Sequence, residues 1–206
     1  AVNTLYWEDG RLMGDNSDVQ GFLYPLQEKH IKKALILGAG GASLAVIAGL
    51  TEIGAEITLA ARDPKKALAD IDRPNPGRST VRVIPWESRT EAMNDSLGLV
   101  INTTPIGMDG HSPEETPMPA EAWRRVPPSC TALDVVYNPI QTRFLREAGE
   151  AGVQVQDGLD FFVAQGLIQF LLWTGLKLPH GAARICLEQM LKERIHRQKS
   201  NRHKAD

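Results

Sequence analysis

Residues 32–63 read KKALILGAGGASLAVIAGLTEIGAEITLAARD. A continuous apolar run, Ala34 to Leu37, meets a glycine cluster. A helical pattern follows in Leu44, Ile47, Ala48 and Leu50, and a second apolar run occupies Ile57 to Ala60. Short apolar runs bounded by turn residues suit strands buried on both faces, and the spacing of three and four between them suits a helix. Strand, tight turn, helix, strand is one βαβ unit of parallel type. In the turn GAGGAS, Gly38 allows the chain to leave the strand sharply. Gly40 lets the backbone approach a pyrophosphate, whose charge then faces the N-terminus of the next helix. Ser43 takes the position that a dinucleotide fingerprint gives to Gly or Ala, and it is small enough for the helix to pack closely. Alone, such a string is a weak signal; between an apolar run and a helix it is a stronger one. The plainer alternative is a glycine-rich turn that holds nothing.

The end of the second strand, AARDPKKA, bears on which dinucleotide would bind. An acidic residue there holds the ribose hydroxyl of NAD, whereas NADP needs positive charge for its 2′-phosphate. Arg62, Lys65 and Lys66 favour the phosphate, and the planar guanidinium of Arg62 can also stack on adenine. Asp63 opposes them. The balance favours NADP, with NAD as the alternative.

Outward from this unit the alternation continues. TVRVIP and LGLVINTTP read as strands, MDGHSPEETPMPAEAW as a long loop and TALDVVYNP as another strand. Then come a helix in QTRFLREAGEAG closed by Gly152, a short strand in VQVQD, and helices in GLDFFVAQGLIQFLLWTG and HGAARICLEQMLKERI. Strands alternating with helices predict an α/β fold with a doubly wound, Rossmann-like parallel sheet. Asn102 and Thr103 would then stand at the carboxyl end of a buried strand, where such sheets bind ligands, and Gly107 permits a close approach. Upstream, AVNTLYWEDGRLMGDNSDVQGF predicts a hairpin with Glu8-Asp9-Gly10 in its turn. Asp18 would cap a helix through VQGFLYPLQEK that Pro25 weakens or kinks. Asn3 and Asp18 are polar residues at the strand ends, not in the turn. The expected division is residues 1–27 as the remnant of a substrate domain with its linking helix, 28–178 as the dinucleotide-binding domain, and 179–206 as a C-terminal helix with a basic tail.

A formal net charge of -2 argues against nucleic acid or an acidic membrane surface as the main partner. The one basic stretch, KERIHRQKSNRHKAD, has no interleaved aromatic residues and reads as a solvated tail. Cys130 and Cys186 are far apart, the five histidines are scattered, and neither CxxC nor HExxH occurs. The expectation is a reducing compartment with no disulfide framework and no metal site. No apolar run approaches the roughly 18 to 20 residues of a membrane span, and no charged segment followed by an apolar one opens the chain. These features predict a cytoplasmic protein.

AVNT, GDNSD, GAGGAS, ARDPKKA, NTTPIGM, DVVYNPIQTRFLREA and DGLDFFVAQG followed by LWTG occur in this order. Together they resemble the shikimate dehydrogenase family over nearly the whole chain apart from the basic tail. The resemblance implies NADPH-dependent reduction of 3-dehydroshikimate to shikimate on the route through chorismate to aromatic amino acids. It also implies a cleft between a substrate domain and a Rossmann-like domain. By the same resemblance Asn3 and Asp18 contact substrate hydroxyls, and Asp18 is the catalytic carboxylate that pairs with the family's lysine. Tyr137 and Gln165 are further substrate contacts. Gly38, Ala39, Gly40, Gly41 and Ala42 form the pyrophosphate loop. Ala61, Arg62, Asp63 and Lys66 form the adenosine-phosphate segment, and Val135 and Gly158 lie near the nicotinamide. Gln165 follows Gly158 by seven residues, about 10 Å along a helix, so a helix starting at the nicotinamide can carry it over the substrate.

Two departures qualify the match. The family's adenosine segment usually reads Asn-Arg-Thr with a later Arg; here Arg62 is retained while Ala61, Asp63 and Lys66 differ. That keeps NAD, or dual use as in quinate/shikimate relatives, as an alternative. The family's serine-rich motif and catalytic lysine lie upstream of AVNT, and the chain opens on Ala. The expectation is therefore a chain without most of its substrate domain, turning over shikimate at or near background. A non-catalytic dinucleotide-binding module is the alternative. A monomer or homodimer is expected, with Trp123 and Trp173 in the core or an interface.

Overall fold

The computed structural model describes residues 2–72 and 81–202. The chain starts with a two-stranded antiparallel sheet, β1 (Thr4–Glu8) and β2 (Arg11–Asp15), in which Glu8 pairs with Arg11. Only Asp9 and Gly10 form the turn, with φ of 48° and 75°. Positive φ at both central residues matches the right-handed strand twist, so Glu8 ends a strand and is not part of the turn. Helix α1 (Ser17–Leu23) follows, and here the expected cap is corrected. The side chain of Asn16 accepts from the Asp18 amide at 3.1 Å, and Asp18 lies inside the first turn. Nor does this helix run on to Lys29. Pro25 cannot donate an amide, and the chain tightens into a 3-10 turn over Tyr24–Leu26.

Six parallel strands form the main sheet: β3 (Lys33–Leu37), β4 (Glu56–Ala61), β5 (Arg82–Pro85), β6 (Leu99–Asn102), β7 (Thr131–Asp134) and β8 (Gln154–Gln156). Their order is β5-β4-β3-β6-β7-β8. The order reverses between β3 and β6, and the crossovers are helical in α2 (Gly41–Glu52), α3 (Pro64–Asp72) and α4 (Arg143–Glu150). After β8 come α5 (Gly158–Thr174) and α6 (His180–Arg202). The period of two along β3 divides the core. Ala34 and Ile36 face Phe22, Val46, Leu50 and Phe161, while Leu35 and Leu37 face Met118, Trp123 and Phe144. Each face of the sheet is thus covered, which is why its strands read as unbroken apolar runs.

Phe22 of α1 lies in the same core cluster as α2 and β3, so the N-terminal segment is packed into the body of the fold. The loop expected before Trp123 ends in a 3-10 turn, Ala120–Arg125, with Trp123 edge-on to Phe144 at 5.1 Å. Trp173, by contrast, is 59% exposed, and its Nε1 donates to the Leu5 carbonyl at 2.9 Å, tying the end of α5 to the hairpin. The expected basic tail is helical through Arg202, and its last residues lie outside the described ones. Among the described residues no helix is long and apolar enough to cross a membrane, and no group of three or more His, Cys, Asp or Glu could hold a metal.

Candidate functional site

A cleft of about 970 Å³ opens at the carboxyl ends of β3, β4 and β6, where the strand order reverses. Gly38, Ala39, Gly40, Ala61, Arg62, Asp63 and Lys66 all line it. Gly41 lines an adjoining recess of about 140 Å³, and Ala42 is half-buried in the first turn of α2. A second hollow of about 640 Å³, among Lys29, Gly98, Thr131 and Gln154, lies at the amino ends of the strands. Open α/β sheets bind ligands at the other end, which assigns the site to the larger cleft.

Gly38 leaves β3 at φ +101°, and a Cβ there would sit 2.5 Å from Thr104 Cγ2. Conformation and crowding both exclude a side chain at this position. Thr103 Oγ1 lies 2.9 Å from the Leu37 carbonyl and 3.0 Å from that of Gly38, fastening the loop after β6 to the glycine loop. Gly40 is the N-cap of α2 and supplies no side-chain cap, while the Ser43 hydroxyl donates to the Gly40 carbonyl at 2.6 Å. The first amides of α2 therefore have no side-chain partner at the cap. A Cβ on Gly40 or Gly41 would meet nothing within 4 Å. Free amides at a positive helix end, beside open space, fit a pyrophosphate.

At the far end of the cleft Arg62 is exposed and makes no hydrogen bond or ion pair among the described residues. Asp63 is engaged instead: its carboxylate accepts from the Lys66 amide at 3.0 Å, capping α3 ahead of Pro64 in the first helical position. The acid that counted against NADP is thus committed to the backbone. Asp63→Ala is expected to lower stability by about 1 kcal/mol in urea denaturation and to weaken NADH no more than NADPH. A selective loss of NADH would mean that the carboxylate leaves the helix to hold a ribose. Trp86 closes this end, with the Arg89 guanidinium 4.6 Å from its ring centroid and Arg89 Nε donating to the Pro117 carbonyl at 2.7 Å. A lone Trp after a short edge strand carries no signal in the sequence that would have assigned it here.

Val135 and Gly158 meet where α5 begins, beyond the residues that line the cleft. A Cβ on Gly158 would lie 2.7 Å from the carbonyl oxygens of Asp134, Val135 and Val136, so α5 begins in direct contact with the loop after β7. Its cap is Asp157, which accepts from the Leu159 amide at 3.0 Å. Arg184 of α6 binds Asp157 with two bonds, at 2.9 and 2.8 Å, and reaches Asp160 at 2.9 Å. Asp134, the last residue of β7, is fully buried, and burial pushes its pKa up to about 7 against the hydrogen bonds it accepts.

The remaining predicted residues form a separate group along α1 and α5. Asn3 Oδ1 accepts from the Ser17 amide at 3.0 Å and from Thr4 Oγ1 at 2.7 Å, and Asn3 Nδ2 donates to Ser17 Oγ at 3.0 Å. Ser17 Oγ lies 3.5 Å from Gln165 Oε1, and Gln165 Nε2 donates to the Phe162 carbonyl at 3.1 Å. Tyr137 stacks on Phe162 with centroids 4.1 Å apart. Asp18 is half-buried, and desolvation raises its pKa while a hydrogen bond with Asn3 lowers it. The close approach of α1 to α5 brings this group together: a Cβ on Gly21 would meet Gln165 Cβ at 2.7 Å. None of Asn3, Asp18, Tyr137, Gln165, Val135 and Gly158 lines the larger cleft, so the predicted residues fall into a dinucleotide group and a group beyond it.

No family model matches the chain. It is 45% identical over 197 residues to the shikimate dehydrogenase (NADP(+)) of Oleidesulfovibrio alaskensis, covering 93% of this chain and 66% of that protein. Among solved structures, shikimate 5-dehydrogenase from Thermus thermophilus in complex with NADP(H) and shikimate is 39% identical with a TM-score of 0.74. That match covers 92% of this chain and 68% of the other. Quinate dehydrogenase from Corynebacterium glutamicum in complex with NAD is 28% identical with a TM-score of 0.78 over the same shares. The chain spans about two thirds of the length of the curated relatives it matches.

Proposed function

The chain belongs to the shikimate dehydrogenase family, and on that premise we propose that the protein is an NADP-dependent oxidoreductase interconverting 3-dehydroshikimate and shikimate. Residues 28–178 would form its cofactor domain, residues 1–27 one wall of the substrate site and residues 179–206 a C-terminal helix with a basic tail. The observation that carries this reading is the cleft at the strand-order reversal, with α2 amides that have no side-chain cap at one end and, at the other, an Arg62 without a partner among the described residues. The amides of Gly40 to Ala42 would hold the pyrophosphate. Arg62 and Lys66 would hold the 2′-phosphate, and Val135 and Gly158 would border the nicotinamide. When bound, the cofactor supplies the hydride that reduces the ketone carbon.

On the substrate side Asn3, Gln165 and Tyr137 would hydrogen-bond the substrate hydroxyls and fix the ring against the nicotinamide face. Asp18 would hold the reacting hydroxyl. An ionised carboxylate is a poor proton donor at neutral pH; partial burial raises the pKa of Asp18 while the hydrogen bond with Asn3 lowers it. A cytoplasmic step towards aromatic amino acids is the corresponding place in metabolism. A second reading, an NAD-linked quinate/shikimate dehydrogenase, is favoured by the likeness to a quinate dehydrogenase solved with NAD.

Fluorescence titration of the protein with NADPH and NADH separates the two readings. NADPH is expected to bind at least about tenfold tighter, the worth of one charge-assisted contact. Equal or tighter NADH binding would transfer the assignment to the second reading. No binding of either would overturn both.

A further inference from the structure

We infer that Asp134 is a positioning residue for the cofactor cleft, its carboxylate fixing the loop after β6 against the loop after β7. The inference rests on the proposed binding of NADP(H). Asp134 stands at the last position of β7 and is 0% exposed. Asn102 Nδ2 donates to its Oδ1 at 2.9 Å and the Val136 amide to the same oxygen at 3.0 Å, while Thr142 Oγ1 donates to Oδ2 at 2.7 Å. Among the described residues no cation pairs with it, so only these three donors balance the carboxylate.

Two of the donors lead towards the site, and the third anchors the carboxylate outside it. Asn102 uses its amide also on the Ile106 carbonyl at 3.1 Å. Its Oδ1 accepts from the Thr104 amide at 2.9 Å and from Thr104 Oγ1 at 2.6 Å. It thereby shapes the Thr103–Ile106 turn that walls the cleft. The Val136 amide fixes the backbone from which Val135 and Tyr137 project and against which Gly158 packs. Thr142 accepts from the Leu145 amide at 3.3 Å as the cap of α4, anchoring the carboxylate to a helix outside the cleft. A buried acid without a cation is costly, and an apolar residue here would leave Asn102 and Thr142 without their common acceptor. Its effect is to set two loops from different crossovers in one register, which fixes the distance between the phosphate wall and the nicotinamide end.

The test compares Asp134→Asn, Thr142→Val and Thr142→Ser with Val153→Ala, a core truncation outside the cleft. Both the Kd for NADPH and the urea midpoint are measured. Asp134→Asn turns an amide NH₂ towards the Thr142 hydroxyl, and Thr142→Val removes that hydroxyl; each is expected to raise the Kd about tenfold or more. Thr142→Ser restores the hydroxyl and is expected to stay within about twofold of wild type, while Val153→Ala lowers the midpoint and leaves the Kd unchanged. The serine and valine pair decides the matter even where Asp134→Asn does not fold. A wild-type Kd in Thr142→Val, or Kd changes that merely follow the midpoints in every variant, Val153→Ala included, overturns the inference. Failure of wild type to bind NADPH overturns the cofactor reading and this inference with it.

Discussion

Arg62→Ala is expected to raise the Kd for NADPH by about 10- to 100-fold while changing that for NADH by less than about threefold. A guanidinium bonded to a phosphate contributes roughly 1.5 to 3 kcal/mol, and NADH has no group for it to hold. Arg62 suits this role because it lines the cleft and is committed to no other residue among those described. Its exposure sets the second half of the expectation: the wild-type preference for NADPH should shrink as salt rises, since exposed charges are screened within about 8 Å at physiological ionic strength. Titration of both cofactors at low and high salt gives both results. Equal weakening of NADPH and NADH in Arg62→Ala would mean that the guanidinium stacks on adenine and does not read the 2′-phosphate.

Asp63 opposes the cations of its segment in a count of charge, and its bond to the Lys66 amide takes it out of that count. The signal was present: Asp followed by Pro is an N-cap followed by a first-turn proline. A count of charges alone does not reveal it. The same holds for Asn16 and Asp18, both good caps in GDNSD. Only the end of β2 at Asp15 fixes which one starts the helix. The βαβ unit was legible because burial on both faces and a helical period are local properties of the sequence. Asp134 was not, since in TALDVV it stands in an apolar run and its donors come from residues 102, 136 and 142, on three separate segments. The Asn3, Ser17 and Gln165 contacts were equally hidden, because they depend on how closely α1 approaches α5. Sequence periodicity fixes elements, but the polar contacts between them depend on packing distances that no single segment encodes.

Gly158→Ala should cost the most stability of the single substitutions proposed, about 3 kcal/mol, the upper range for forcing an atom into a packed interior. The new Cβ would meet three backbone carbonyl oxygens at 2.7 Å, and none of them is a flexible side-chain end that could swing aside. Moving α5 away is resisted at its cap, where Asp157 is bonded both to the Leu159 amide and to Arg184, and in the core, where Phe161 is buried. Moving the loop after β7 would displace the Val136 amide from Asp134. Gly166 provides the internal control, since it lies in the same helix and a Cβ there meets nothing within 4 Å. Gly166→Ala is expected to stabilise the protein by roughly 0.5 to 1 kcal/mol through helix propensity alone. Opposite shifts of the urea midpoint for the same chemical change, eight residues apart, would locate the constraint at the junction of α5 with β7. A Gly158→Ala protein as stable as Gly166→Ala would show that the junction yields.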